Sequence, residues 1–165
     1  MQAAILMGSA SDEMLVAPCA ETLKKLGVSF FMTVTSAHRT PERTAELVAR
    51  LESEGCRVFI CAAGMAAHLA GAVAARTIRP VIGIPLSGSS LNGMDALLST
   101  VQMPSGFPVA TVALDKAGAK NAAWLAAQIV ALDDENVRAK LIAERETFRT
   151  SVDAAAADIE QRFNR

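Results

Sequence analysis

Ala3-Ala4-Ile5-Leu6-Met7-Gly8-Ser9-Ala10-Ser11-Asp12, close to the amino terminus, decides the fold. Five apolar residues in succession are too few for a helix and lack the polar alternation of a half-exposed strand, so they read as a strand covered on both faces. The small-residue turn after them opens a helix expected over Asp12–Leu26, with Gly27 as its C-cap. The unit then repeats. Apolar runs at Ser29–Thr35, Val58–Ala62, Val81–Ile84 and Val109–Leu114 alternate with 3.6-periodic segments at Pro41–Glu54, Met65–Arg76, Gly93–Val101 and Ala117–Leu132. Five strands in βα alternation predict an α/β protein with a five-stranded parallel sheet and helices on both sides.

Thr40-Pro41 marks a helix start, with Thr40 as N-cap and proline at the first helical position, where a missing N–H costs nothing. Pro18 predicts a kink or a late start in the first helix. Asn136–Phe163 reads as a long C-terminal helix whose Val137, Leu141, Phe148, Val152, Ala155, Ile159 and Phe163 form a narrow apolar stripe. No Pro/Gly/Ser-rich linker divides the chain, so residues 1–165 are expected to form one domain. Residues 136–165 are expected to pack on a neighbouring subunit of a homo-oligomer.

Composition narrows the function classes. The 165 residues are 52% hydrophobic and 20% charged, which excludes disorder as a description of the whole chain. A formal charge of −1 provides no basic field for nucleic acid, and six Phe, one Trp and no Tyr leave little for base stacking. Cys19, Cys56 and Cys61 are odd in number and show no CxxC spacing, so neither a disulfide framework nor a zinc site is indicated, and a reducing cytoplasm is expected. Met1–Asp12 lacks the features of a signal peptide. Val58–Ala75 carries no formal charge, but Gly64, His68 and Gly71 interrupt it. A buried strand entering a small-residue helix fits it better than a membrane span.

In a parallel α/β sheet, ligands bind outside the carboxyl ends of the strands. Gly8-Ser9-Ala10-Ser11-Asp12 offers N–H groups and hydroxyls to a phosphate and a carboxylate to ribose hydroxyls; an ordinary tight turn capped by Ser11 or Asp12 accounts for the same residues. Ser36-Ala37-His38-Arg39-Thr40-Pro41 sets an imidazole and a guanidinium before a capped helix, chemistry suited to proton exchange and bidentate phosphate contact, though a solvated surface loop is the plain alternative. Gly64-Met65-Ala66-Ala67-His68-Leu69 holds the second of only two histidines. His68 reads either as a satisfied core residue or as His38's companion in one pocket. A metal site from His38, His68 and Asp12 is set aside because nothing fixes its spacing. Pro85–Gly93 could close over a ligand, and Gln102–Pro108 is assigned shape without chemistry. GxxxxGK[ST] and GxGxxG are both absent, and Cys61 on a buried strand reads as inert packing rather than a nucleophile.

These three loops together resemble the bacterial N5-carboxyaminoimidazole ribonucleotide mutases of purine biosynthesis. The similarity continues through Pro80–Pro85, Gln102–Gly106 and the Ala-rich helix after Lys116-Ala117-Gly118. The family pattern has glycine where this chain has Met65 and commonly proline where it has Ala70. The resemblance implies a three-layer, flavodoxin-like α/β/α sandwich assembled as a homo-octamer, without metal or organic cofactor. It implies that Ser9, Asp12 and Arg39, helped by Ser11 and Ser36, bind the ribonucleotide. His38 would transfer the proton, and His68 would lie at the carboxylate end of a dry pocket around Gly64–Leu69. Two rivals remain: a carboxylase using free CO2, whose relatives tend to carry Lys in place of Arg39, and a non-catalytic nucleotide-binding module.

Overall fold

The computed structural model describes residues 1–164, so Arg165, the last residue of the expected 136–165 segment, lies outside the described residues. Five strands, β1 (Ala3–Met7), β2 (Phe30–Val34), β3 (Val58–Gly64), β4 (Val81–Leu86) and β5 (Ala110–Thr111), form one all-parallel sheet in the order β2-β1-β3-β4-β5. That order reverses direction between β1 and β3, the flavodoxin-like switch point where a crevice opens at the strand ends.

Why the sheet is central follows from the pleat. Along β1, Ala3, Ile5 and Met7 face one core with Ile60 and Ile84, whereas Ala4 and Leu6 face a second core with Phe59 and Cys61. On the first side lie α1 (Glu13–Leu26), α5 (Asp115–Val130) and the start of α6 (Glu135–Phe163); on the second lie α2 (Pro41–Ser53) and α3 (Leu69–Ala74). The helix α4 (Met94–Val101) packs near β4, where Gly83 leaves space for Thr100. α5 offers alanines to the sheet, Ala119, Ala122, Ala123, Ala126 and Ala127 all being fully buried. Small side chains let its axis approach closely.

Some boundaries differ from the expectation, for local reasons. β2 is only partly buried and β5 has two residues, because both are edge strands with one neighbour each. Val109–Leu114 is therefore mostly loop. β3 and β4 run two residues further than their apolar cores suggest, since pairing continues through Ala63↔Pro85 and Gly64↔Leu86. The segment Met65–Arg76 yields a helix of only six residues, preceded by a bend at Met65–Ala66. Ser9, not Ser11 or Asp12, caps the first turn, a 3-10 turn over Ala10–Asp12 that leads into α1. Pro18 sits inside α1, where its carbonyl accepts a 2.7 Å bond from the Thr22 hydroxyl. Thr40 precedes α2 as expected, but its hydroxyl turns back to Ser36 and makes no cap to the helix. Gly27 ends α1 at φ 78°, as its sequence position predicts. No helix among the described residues is long and apolar enough to cross a membrane.

Candidate active site

The loops after β1, β2 and β3 meet around one open cavity of ≈ 630 Å³ at the carboxyl edge of the sheet. The backbone joins them first: Gly8 donates to the Ala62 carbonyl at 3.0 Å, and Thr35 donates to that of Met7 at 2.9 Å. Every residue singled out from the sequence, Ser9, Ser11, Asp12, Ser36, His38, Arg39, Gly64, His68 and Leu69, lines this cavity.

At the β1 end, a capping box shapes the turn. Ser9 Oγ accepts from the Ser11 N–H at 3.3 Å and from the Ser11 hydroxyl at 2.8 Å, while Asp12 Oδ2 accepts from the Ser9 N–H at 3.1 Å. Burial pushes the Asp12 carboxyl above its usual value, opposed by the bonds from the Ser9 backbone and the Ser11 hydroxyl. Such a carboxylate gains from further donors, and ribose hydroxyls are donors of the right kind.

At the β2 end, the loop is braced from within. Ser36 Oγ accepts from the Arg39 N–H at 3.2 Å, the Thr40 hydroxyl bonds both the N–H and the carbonyl of Ser36, and the buried Thr35 and Thr44 hydroxyls share a 2.9 Å bond beneath. These bonds turn His38 and Arg39 outward, both exposed, above the helix start. The imidazole rings of His38 and His68 stand edge to face with centroids 5.5 Å apart. They share one cavity, and His68, itself exposed, is no core histidine.

At the β3 end, Met65 takes a φ of 57° and is 64% exposed, and Ala66 is exposed as well. Of the residues that follow, Ala67 in the loop and Leu69 and Ala70 at the start of α3 are buried. The dry pocket expected around Gly64–Leu69 is thus open to solvent. Gln102, Met103 and Pro104 line a neighbouring hollow of ≈ 460 Å³ that shares Ala66 and His68 with the main cavity, so their contribution of shape falls on the adjoining space. Leu86 and Gly88, from the Pro85–Gly93 segment expected to close over a ligand, also line the main cavity, as does Leu15, to which the sequence assigned no role because its apolar pattern is explained by core packing alone. Cys61 is buried, and burial raises its thiol far above the ordinary value, which removes it as a nucleophile.

An α/β protein whose switch-point cavity carries hydroxyls and a carboxylate on the β1 loop, an imidazole and a guanidinium side by side on the β2 loop and a second imidazole on the β3 loop is equipped for acid–base chemistry on a phosphorylated ligand. The family model described as AIR carboxylase matches residues 2–151, and the chain belongs to that family. It is 47% identical over 159 residues to an N5-carboxyaminoimidazole ribonucleotide mutase of Methanocaldococcus jannaschii, covering 96% of this chain and 98% of that protein. A protein of the same name from Bacillus subtilis is 47% identical over 148 residues, covering 90% and 91%. The crystal structure of Treponema denticola PurE superposes with a TM-score of 0.85 at 28% identity, covering 99% of each chain.

Proposed function

We propose that the protein is an N5-carboxyaminoimidazole ribonucleotide mutase, converting that carbamate to 4-carboxy-5-aminoimidazole ribonucleotide in de novo purine biosynthesis. The observation that carries the reading is the pair of imidazoles 5.5 Å apart, in one cavity with the Ser9–Asp12 turn and Arg39. The names of relatives 45–48% identical over most of the chain support the same activity.

Arg39 and the hydroxyls of Ser9, Ser11 and Ser36 hold the phosphate, and Asp12 accepts hydrogen bonds from the ribose. His38, as imidazolium, delivers a proton to the carbamate nitrogen while the N–C bond breaks, giving aminoimidazole ribonucleotide and CO2. The neighbouring ring carbon attacks the CO2 and forms the new C–C bond. His38 then removes the proton from that carbon and regains its starting state, so the isomerisation balances without external oxidant, reductant or base. His68, Gly64 and Leu69 border the carboxylate end. No step requires a metal or an organic cofactor.

Holding CO2 requires cover that the open protomer does not provide. Beyond Leu141, α6 exposes Ile142, Phe148, Val152, Ile159 and Phe163, an apolar stripe suited to a neighbouring copy, which supports the homo-octamer implied by the resemblance. Three buried, unpaired cysteines suit a cytoplasmic setting.

The test is His38→Asn. His38 is exposed, so the substitution should leave thermal stability within about 0.5 kcal/mol of wild type and leave nucleotide affinity intact. Turnover should fall by about 10²–10⁴. Near-normal turnover in a correctly folded variant overturns the assignment.

A further inference from the structure

Three non-glycine residues take a positive φ among the described residues, and one of them, Asp115 at 54°, lies outside the loops assigned above. For a residue with a Cβ this conformation costs about 1–2 kcal/mol relative to the right-handed region, so something holds it there. Its carboxylate supplies the reason. Asp115 Oδ1 accepts from the Ser87 N–H at 2.9 Å, and Oδ2 accepts from the Ser87 hydroxyl at 2.5 Å. Both oxygens are committed to one residue through charge-assisted bonds, and the negative charge sits in the first turn of α5, where the helix dipole favours it.

Ser87 is the first residue beyond β4, and its neighbours Leu86 and Gly88 line the cavity that holds His38 and His68. The seat is tight on both sides. A Cβ built on Gly64 would stand 3.2 Å from the Leu86 carbonyl oxygen, and one built on Gly93 would stand 3.1 Å from Ser87 Cα and 2.3 Å from Leu114 Cδ2. Ladder pairing with Gly64 holds Leu86, and one residue beyond that last pair the two bonds to Asp115 hold Ser87. A plain connector would need neither the strained residue nor the paired bonds.

We propose that Asp115 is a positioning residue for the reaction. By holding Ser87 through main chain and side chain, it fixes the Leu86–Gly88 wall against Gly64 and confines the CO2 released from the carbamate until the ring carbon takes it up. This rests on the mutase reading given above. Asp115 touches no reacting atom; it acts through the wall.

The experiment measures how the carbamate partitions in full-length Asp115→Gly, Asp115→Asn and Ser87→Ala proteins. The readout is the fraction of N5-carboxyaminoimidazole ribonucleotide released as aminoimidazole ribonucleotide, above the uncatalysed background, rather than rearranged. Glycine adopts the φ at 115 without strain, so Asp115→Gly removes the carboxylate while relaxing the backbone. We expect Asp115→Gly and Ser87→Ala each to raise the released fraction at least about threefold, with nucleotide KM within about twofold of wild type. The double variant should do no more than either single one, because both remove the same pair. Asp115→Asn, whose amide oxygen still accepts from the Ser87 N–H and whose NH2 can donate to the hydroxyl, should recover most of the wild-type partition. Wild-type partition in both Asp115→Gly and Ser87→Ala overturns the proposal, and Ser87→Ala alone decides it should Asp115→Gly fail to fold. If the wild-type protein itself does not rearrange the carbamate, it is the mutase reading that falls.

Discussion

Gly118→Ala tests how closely α5, the helix whose first turn carries Asp115, is seated. A Cβ at position 118 would lie 1.6 Å from the Ala113 carbonyl oxygen and 2.6 Å from its carbon, with Ile84 Cγ2 at 3.3 Å on the far side. Restoring even a 3.0 Å separation requires about 1.4 Å of movement, and the obstacle is backbone rather than the end of a flexible side chain. Overpacking of this kind costs about 3 kcal/mol, the upper part of its usual range. The better helix propensity of alanine returns about 1 kcal/mol. The net loss of about 2 kcal/mol corresponds to roughly 1 M in urea midpoint or about 4–8 °C in thermal midpoint for a chain of this size. Both midpoints are read at one protein concentration, because association shifts apparent stability. A variant with a midpoint equal to or above wild type would show that α5 is not pressed against the end of the preceding loop, and the packing argument would fail.

Asp12→Asn separates folding from binding. A carboxyl raised by burial binds its proton more tightly in the folded state, so its contribution to stability is present below the ordinary carboxylate range and is lost as pH rises through the raised value. The Asn variant should therefore gain stability relative to wild type at neutral pH, with the advantage shrinking on acidification to pH 3, and should bind the ribonucleotide roughly tenfold more weakly. Urea melts at several pH values and a nucleotide titration check both, and a stability difference that grows toward acid would contradict the sign. Light scattering at micromolar concentration should return a mass above the monomer's; a monomeric mass removes the neighbour proposed to cover α6 and the cavity.

What could be read from the sequence follows from the range of the interactions involved. β1 is bounded correctly because its five apolar residues are buried on both faces, and Gly27 because a left-handed C-cap is a local event. β5 is overextended because an apolar run marks burial, whereas a strand also needs a pairing partner, and the edge offers one only at Ala110 and Thr111. The short α3 is hidden by composition, since an alanine-rich bend and an alanine-rich helix share one pattern. The loop residues that meet at the cavity were legible because the position of each βα turn fixes which end of the sheet it occupies. The Ser87–Asp115 clamp spans 28 residues and joins a connector to a helix start, and no local pattern announces it. The open face of the cavity was equally hidden, because the small and apolar residues of Gly64–Leu69 do not announce that Met65, Ala66 and His68 stand exposed.

The central claim is tested most directly by following ultraviolet absorbance after mixing the protein with freshly prepared N5-carboxyaminoimidazole ribonucleotide, beside a parallel reaction of aminoimidazole ribonucleotide with bicarbonate. Fast formation of the 4-carboxy product from the carbamate, with little from bicarbonate, is the predicted result. Fast formation from bicarbonate with little from the carbamate would make the protein a direct carboxylase, and silence in both reactions would leave a nucleotide-binding module in which His38 has no catalytic role.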